Sequence, residues 1–266
     1  MIHADDHVVV VNKPSGLLSV PGRGPDKQDC VWHRVQALFA DALVVHRLDQ
    51  ATSGLLVLAR GIEAQRRLSR AFADRRVDKR YLAWVMGHPQ GRSEDVSHRV
   101  VHRGDSPPPR AENDDCEVAC DSASTHASTQ EPSQPHHAPP GWHSIDLPIL
   151  PDWPNRPLQI ISTEGRPCLT FWRQLEQQAH PARALLELQP HTGRSHQLRV
   201  HLRAIGHPIL GDALYGLPGA PASPVLQLHA WRLSFPHPLD EQTLALQAPL
   251  PPHWGRIGLD VVDSPL

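Results

Sequence analysis

The stretch His46–Arg60, HRLDQATSGLLVLAR, decides how the rest of the chain is read. Arg47 and Asp49 stand in a polar turn. Leu55-Leu56-Val57-Leu58-Ala59 follows as an apolar run with the length and bounding of a buried strand. A charged turn feeding a buried strand can hold a reactive group rigidly at the rim of a cleft. The same residues also fit an Arg47–Asp49 surface pair ahead of an ordinary core strand, since ion pairs perturb carboxylates without any catalytic role. Its surroundings have to choose between the two.

Gly61–Arg75 downstream reads as an amphipathic helix, with Ala64, Leu68, Ala71 and Phe72 on one face. Arg66, Arg67, Arg70, Arg75 and Arg76 form either a basic face or a plain solvated one. Lys79–Val85 is a strand by composition, with Tyr81, Ala83 and Val85 on one face and Leu82 and Trp84 on the other. Tyr81 is one of only two tyrosines, so its phenol suits either a specific task or a satisfied place in the core. Upstream, Val8–Val11 is a β-branched run that ends in the turn Asn12-Lys13-Pro14-Ser15-Gly16. Leu17–Val20 reads as extended, and Val31–Ala40 carries apolar residues at helical spacing.

Composition narrows the function classes. A chain of 266 residues with 39% hydrophobic and 20% charged residues is that of a globular protein with a real core. It has no run long enough for a membrane span. The start MIHADDHVVVV lacks the pattern of a secretory signal. Four scattered cysteines (Cys30, Cys116, Cys120, Cys168) suggest reduced thiols, so a cytoplasmic location is expected. The formal charge of −2 conceals a division: residues 91–144 carry nine acidic residues and four arginines, net −5, which leaves the remainder at +3. A mildly basic body permits RNA binding without demanding it.

Residues 91–144 contain no Leu, Ile, Phe or Tyr. Such a tract cannot bury enough apolar surface to offset its ordering entropy, so a disordered insertion of no functional consequence is expected. Its Cys116, Cys120, His126, His136, His137 and His143 follow no standard zinc spacing, and no metal is expected. Beyond it come the stiff turn Pro151–Pro157, strands near Cys168–Trp172 and Ala184–Leu188, and PHTGRSHQLRVHL at residues 190–202. Ser195 reads as the N-cap of a helix with Leu198, Leu202 and Ile205 on one side, closed by Gly206. Arg194 then sits at a strand-to-helix corner, suited to a carboxylate or phosphate. Leu226–Leu233 and Leu244–Ala248 read as closing strands. Walker and dinucleotide fingerprints are absent, and no cofactor is expected.

Taken in order, HRLDQATSGLLVLA, KRYLAWV and TGRSHQLRVHL resemble the signature blocks of the RluA family of RNA pseudouridine synthases. VVVNKPSGLLSVPGR, DLPILPDWPNRP, GHPILGD and LHAWRL extend the likeness over nearly all of residues 5–90 and 145–250. The resemblance implies an α+β catalytic fold, with a mixed, mainly antiparallel sheet, flanking helices and a central cleft. It implies one domain over 1–266, interrupted at 91–144, without an N-terminal S4 RNA-binding module. It implies an isomerase that breaks the N1–C1′ bond of uridine, turns the uracil and rejoins it through C5. The expected RNA is a 23S rRNA hairpin, a tRNA anticodon stem-loop, or both, bound by a monomer.

The family's roles fall on matching positions. Asp49 matches the catalytic carboxylate, acting as nucleophile or as base at the sugar. Arg194 matches the arginine that pairs with it, and Tyr81 the residue that lies against the uracil and assists C5 deprotonation. Arg47 matches the side chain that fills the space left by the flipped base. His46, Thr52, Lys79, Arg80, His196, Gln197 and Arg199 are the further expected RNA contacts. Two rival readings keep the same residues. A hydrolase with Asp49 as nucleophile would release free base, and a non-catalytic RNA-binding protein would keep the fold alone.

Overall fold

The computed structural model describes residues 1–90, 138–221, 223–255 and 257. Its centre is the apolar run of the opening stretch, which forms strand β4 (Ser53–Arg60). All but the last residue of β4 are buried, because both faces are covered. Leu55, Val57 and Ala59 pack with Ala64, Leu68 and Ala71 of helix α2 (Ile62–Ala73). Leu56 and Leu58, pointing the other way, pack with Val31 and Val35 of helix α1 (Val31–Gln36). Fully burying a leucine contributes about 1.5–3 kcal/mol, against about 1 kcal/mol for a typical hydrogen bond. The strand therefore anchors the loop that precedes it.

Strands β1 (His3–Ala4), β2 (Val8–Lys13) and β3 (Ala42–Val44) build one flank around β4. On the other side lie β11 (Leu228–Pro236), β5 (Asp78–Met86), β10 (Arg183–Pro190), β9 (Leu169–Gln178) and β6 (His143–Asp146), in that order. With β12 (Thr243–Gln247) beside β11, the sheet has ten strands. Among the described strands only β4 and β11 pair in parallel, at Ser53/His229 and Gly54/Ala230. The sheet is thus mixed and mainly antiparallel, and with the three α-helices among the described residues it makes an α+β arrangement. Gly54 is obligatory at the junction: its φ is +110°, and a Cβ there would meet the Ala230 carbonyl oxygen at 2.2 Å.

One sheet face carries α1 and helix α3 (Gln197–Ala204), whose Leu198 and Leu202 pack on Ala83, Val85, Leu186 and Leu188. The opposite face carries α2 and, further along, the cluster of Leu82, Trp84, Leu185, Trp231 and Trp254. A separate hairpin, β7 (Ile149–Pro151) and β8 (Gln159–Ile161), contributes Ile149 and Ile161 to a small core with Val200 and Tyr215.

Three sequence expectations shift. The extended piece at Leu17–Val20 makes only a single bridge, Leu18 to Cys30. The N-cap position expected at Ser195 falls one residue later, on His196 in the left-handed region at φ 54°, and the helix starts at Gln197. Of the expected insertion, residues 91–137 lie outside the described residues, as do Cys116, Cys120, His126, His136 and His137. Its last residues are ordered: His143 and Ser144 belong to β6, and the Trp142 ring lies 4.9 Å from both Arg80 and Arg173. An edge strand that buries only Ile145 needs little apolar sequence, so composition did not reveal it. Among the described residues no cluster is arranged to hold a metal, and no helix is long and apolar enough to cross a membrane.

Candidate active site

Asp49 lies in the loop between β3 and β4, its side chain 31% exposed. The loop is fixed by the chain's first turn. Ser19 Oγ donates to the Leu48 carbonyl at 2.7 Å and accepts from the Leu48 amide at 3.1 Å. The Gln50 carbonyl accepts from Lys13 Nζ at 2.9 Å and from the Gly16 amide at 2.9 Å. The Ala51 carbonyl accepts from Ser15 Oγ at 2.7 Å, and the Asp49 carbonyl from the Thr52 amide at 3.1 Å. Every carbonyl from Leu48 to Ala51 has a donor, which fixes the backbone that carries the Asp49 side chain.

Lys13 is 1% exposed and also donates to the carbonyls of Pro14 and Leu17, at 3.1 and 2.7 Å. Burial pushes its amine down to about 8, and the nearby Asp49 charge opposes the shift. The sequence marked Lys13, Ser15 and Gly16 only as turn chemistry. Nothing local shows that this turn clasps a loop more than thirty residues away.

The cation that meets Asp49 is Arg199, with Nη1 3.6 Å from Oδ2. Arg199 projects from α3 and is itself clamped. Its Nε and Nη2 donate to the two oxygens of Asp212 at 2.8 Å each, and its guanidinium lies 5.1 Å from the Tyr215 ring. Burial alone would raise the Asp212 carboxyl, but the Arg199 bonds and the amides of Leu214 and Tyr215 hold it below the usual range. The fork is thus spent on one carboxylate and leaves its remaining amino group toward the other.

Arg194, expected in that place, is exposed. Its backbone amide donates to Gln197 Oε1 at 3.0 Å, and among the described residues no ion pair joins its side chain to Asp49. Arg194 lies in the exposed turn before α3, whereas Arg199 projects from the buried side of α3 toward Asp49.

Tyr81 is on β5, opposite Ala230, which in turn lies beside Gly54 on β4. Its phenol is pushed up, first by burial and then by the Asp49 charge, so it is protonated at neutral pH. Lys79, on the same face of β5, reaches the Thr192 carbonyl at 3.5 Å and stands beside Gly193. Arg47 is exposed, two residues from Asp49.

Several of the expected RNA contacts are engaged within the protein. Thr52 is 2% exposed. His46 stacks on Phe72 and accepts the Val57 amide through Nε2 at 3.0 Å, with burial pushing its ring down to about 3. Arg80 is on the opposite face of β5 from Tyr81, bonded to Asp78 at 3.0 Å. Gln197 is buried with its amide fully used: Oε1 accepts from Thr192 and Arg194, while Nε2 donates to Leu169 and Thr170. His196 is half-buried and shares a 2.7 Å hydrogen bond with the Tyr215 hydroxyl. For His46, Gln197 and His196 the local sequence pattern does not show this, because Phe72, Leu169 and Tyr215 lie far along the chain.

A carboxylate on a pinned loop, an arginine held 3.6 Å from it and a tyrosine across the sheet junction form one constellation. Residues 7–204 match the sequence profile of the family described as RNA pseudouridylate synthase. The chain belongs to that family of RNA-modifying isomerases. It is 39% identical over 251 residues to the dual-specificity RNA pseudouridine synthase RluA of Escherichia coli strain K12, covering 94% of this chain and 92% of that one. It is 38% identical to the RluA of Vibrio vulnificus strain CMCP6, over 94% of this chain and 82% of the relative. Among solved structures it is similar to human RNA pseudouridylate synthase domain containing 1, with a TM-score of 0.63 and 25% identity over 94% of this chain and 82% of that one.

Proposed function

We propose that Asp49 is the carboxylate that acts on the ribose of a target uridine. Arg199 is its orienting cation, and Tyr81 is the surface against which the uracil turns. The observation that carries this reading is the 3.6 Å approach of Arg199 to Asp49 on a loop whose carbonyls from Leu48 to Ala51 are all engaged. The N1–C1′ bond breaks and the C5–C1′ bond forms. C5 gives up its proton to solvent and N1 takes one, so no redox partner enters the balance. A phenol pushed up by burial is a poor proton acceptor, which favours packing over base catalysis for Tyr81. Arg194, Lys79 and Arg47 are left for the RNA, the first two at the 192–194 turn and Arg47 as the side chain that fills the flipped base's place.

The substrates proposed are a tRNA anticodon stem-loop and a 23S rRNA hairpin, following the dual specificity named for RluA, and the setting is the cytoplasm. The test uses in vitro transcripts of both RNAs. After incubation with the protein, pseudouridines are mapped by carbodiimide adducts and primer extension. One stop in the loop of each RNA is expected, and no stop in either refutes the substrate assignment.

A further inference from the structure

The tip of the β7–β8 hairpin presents Trp153 to solvent with 65% of its surface exposed. It is the only aromatic among the exposed large hydrophobic residues described, the others being Met1, Leu38, Ile62, Leu214 and Leu239. The Arg156 guanidinium carbon lies 3.5 Å from the ring centroid and covers one face. With one face covered, so high an exposure requires the other to be open.

The presentation is rigid. The Asp152 amide donates to the Leu158 carbonyl at 2.9 Å, the Asn155 amide to Asp152 at 3.0 Å, and the Leu158 amide to Asn155 at 2.9 Å. Asn155 Nδ2 adds a 3.0 Å bond to the Asp152 carboxylate, itself only 9% exposed. Pro154 and Pro157 restrict the backbone between. The hairpin is also tied to the active site. Gln159, which pairs with Pro151, donates its amide to the Tyr215 hydroxyl at 2.8 Å, and the Tyr215 ring lies against Arg199. Trp153 stands two residues beyond Pro151, at the start of the 3-10 turn Trp153–Asn155.

We propose that Trp153 and Arg156 form a stacking platform for a nucleobase of the substrate RNA outside the flipped uridine. This rests on the RNA-modifying reading above. An open indole face accepts any base by stacking, and a guanidinium already laid on the other face keeps a positive charge beside the phosphates. A docking site for a protein would show a wider apolar surface, whereas the exposed residues here are one indole, one proline and one arginine.

The experiment uses the full-length chain and a tRNA transcript tritiated at uracil C5. Trp153→Ala is expected to raise KM for that RNA about 5- to 100-fold, the range for loss of one stacked base, with kcat within twofold. Trp153→Phe retains the ring and is expected to stay within threefold of wild type. RNA is expected to quench indole emission in wild type but much less in Trp153→Phe. Filter binding of the same RNA, which needs no turnover, tests the platform by itself. Equal Kd for wild type and Trp153→Ala overturns it, and so does a fall in kcat with KM unchanged. Absent tritium release with binding that still depends on Trp153 would overturn the catalytic reading and leave the platform standing.

Discussion

Arg199→Lys compared with Arg194→Ala tests which of two arginines, five residues apart, serves Asp49. Arg199 is 4% exposed and donates two 2.8 Å bonds to Asp212, whose side chain is fully buried. Lysine keeps the charge but presents a point donor instead of a fork, so one charge-assisted bond, about 1.5–3 kcal/mol, is lost. A lysine drawn to Asp212 also leaves Asp49. At 3.6 Å and an effective dielectric near 20 that contact is worth at most about 4.6 kcal/mol, and about 4 kcal/mol once the partial exposure of Asp49 is allowed for. If half of it is expressed in the transition state, kcat falls roughly 30-fold, at 1.36 kcal/mol per factor of ten. Arg194→Ala removes an exposed side chain, so stability should hold to about 0.5 kcal/mol and kcat within threefold, with any effect on KM for RNA. Urea denaturation and single-turnover tritium release read both variants. A fully active Arg199→Lys beside an inactive Arg194→Ala would refute the assignment.

Ser19→Ala removes the hydroxyl that bonds both backbone groups of Leu48, next to Asp49. A stability loss of about 1–3 kcal/mol in urea is expected, with kcat lowered and KM for RNA little changed. Unaltered kcat would show that the clasp does not position Asp49. Acid sensitivity is the other expectation. His201 and His229, 0% and 1% exposed, are pushed down to about 4, chiefly by burial. Their folded pKa lies below the unfolded value near 6.5, so their stabilisation is complete above pH 6.5 and lost as pH falls toward 4. Each should cost about 2 kcal/mol by pH 5, lowering the urea midpoint between pH 7.5 and 5.0. A His201→Gln variant should show a shallower fall, and identical profiles would contradict the burial account.

Much of the scaffold was legible because burial writes itself into short apolar runs. Leu55–Ala59 and Ala184–Leu188 are covered on both faces and read as strands from composition alone. Asp49 was legible as a lone acid at the edge of such a run. The arginine beside it was not, because the phase of α3 depends on His196, held by a hydroxyl nineteen residues further on. Asp212 was visible only as an acid in a glycine-flanked loop, and its bidentate clasp of Arg199 is a tertiary fact. Thr52, His46 and Gln197 looked like polar loop residues open to RNA. Their partners, or simply their depth, come from strands the local pattern does not contain. The hold of Lys13 and Ser19 on the Asp49 loop spans 37 and 29 residues, a separation that periodicity cannot bridge.

The central claim, that Asp49 is the group that acts on the uridine, is tested most directly by Asp49→Asn. The variant is isosteric and leaves the backbone bonds of the loop in place. RNA tritiated at uracil C5 is incubated with wild type and variant, and tritium release and free uracil are measured together. Wild type should release tritium with no free uracil, and the variant should release none while still binding the RNA. Equal tritium release from both proteins would remove Asp49 from the chemistry.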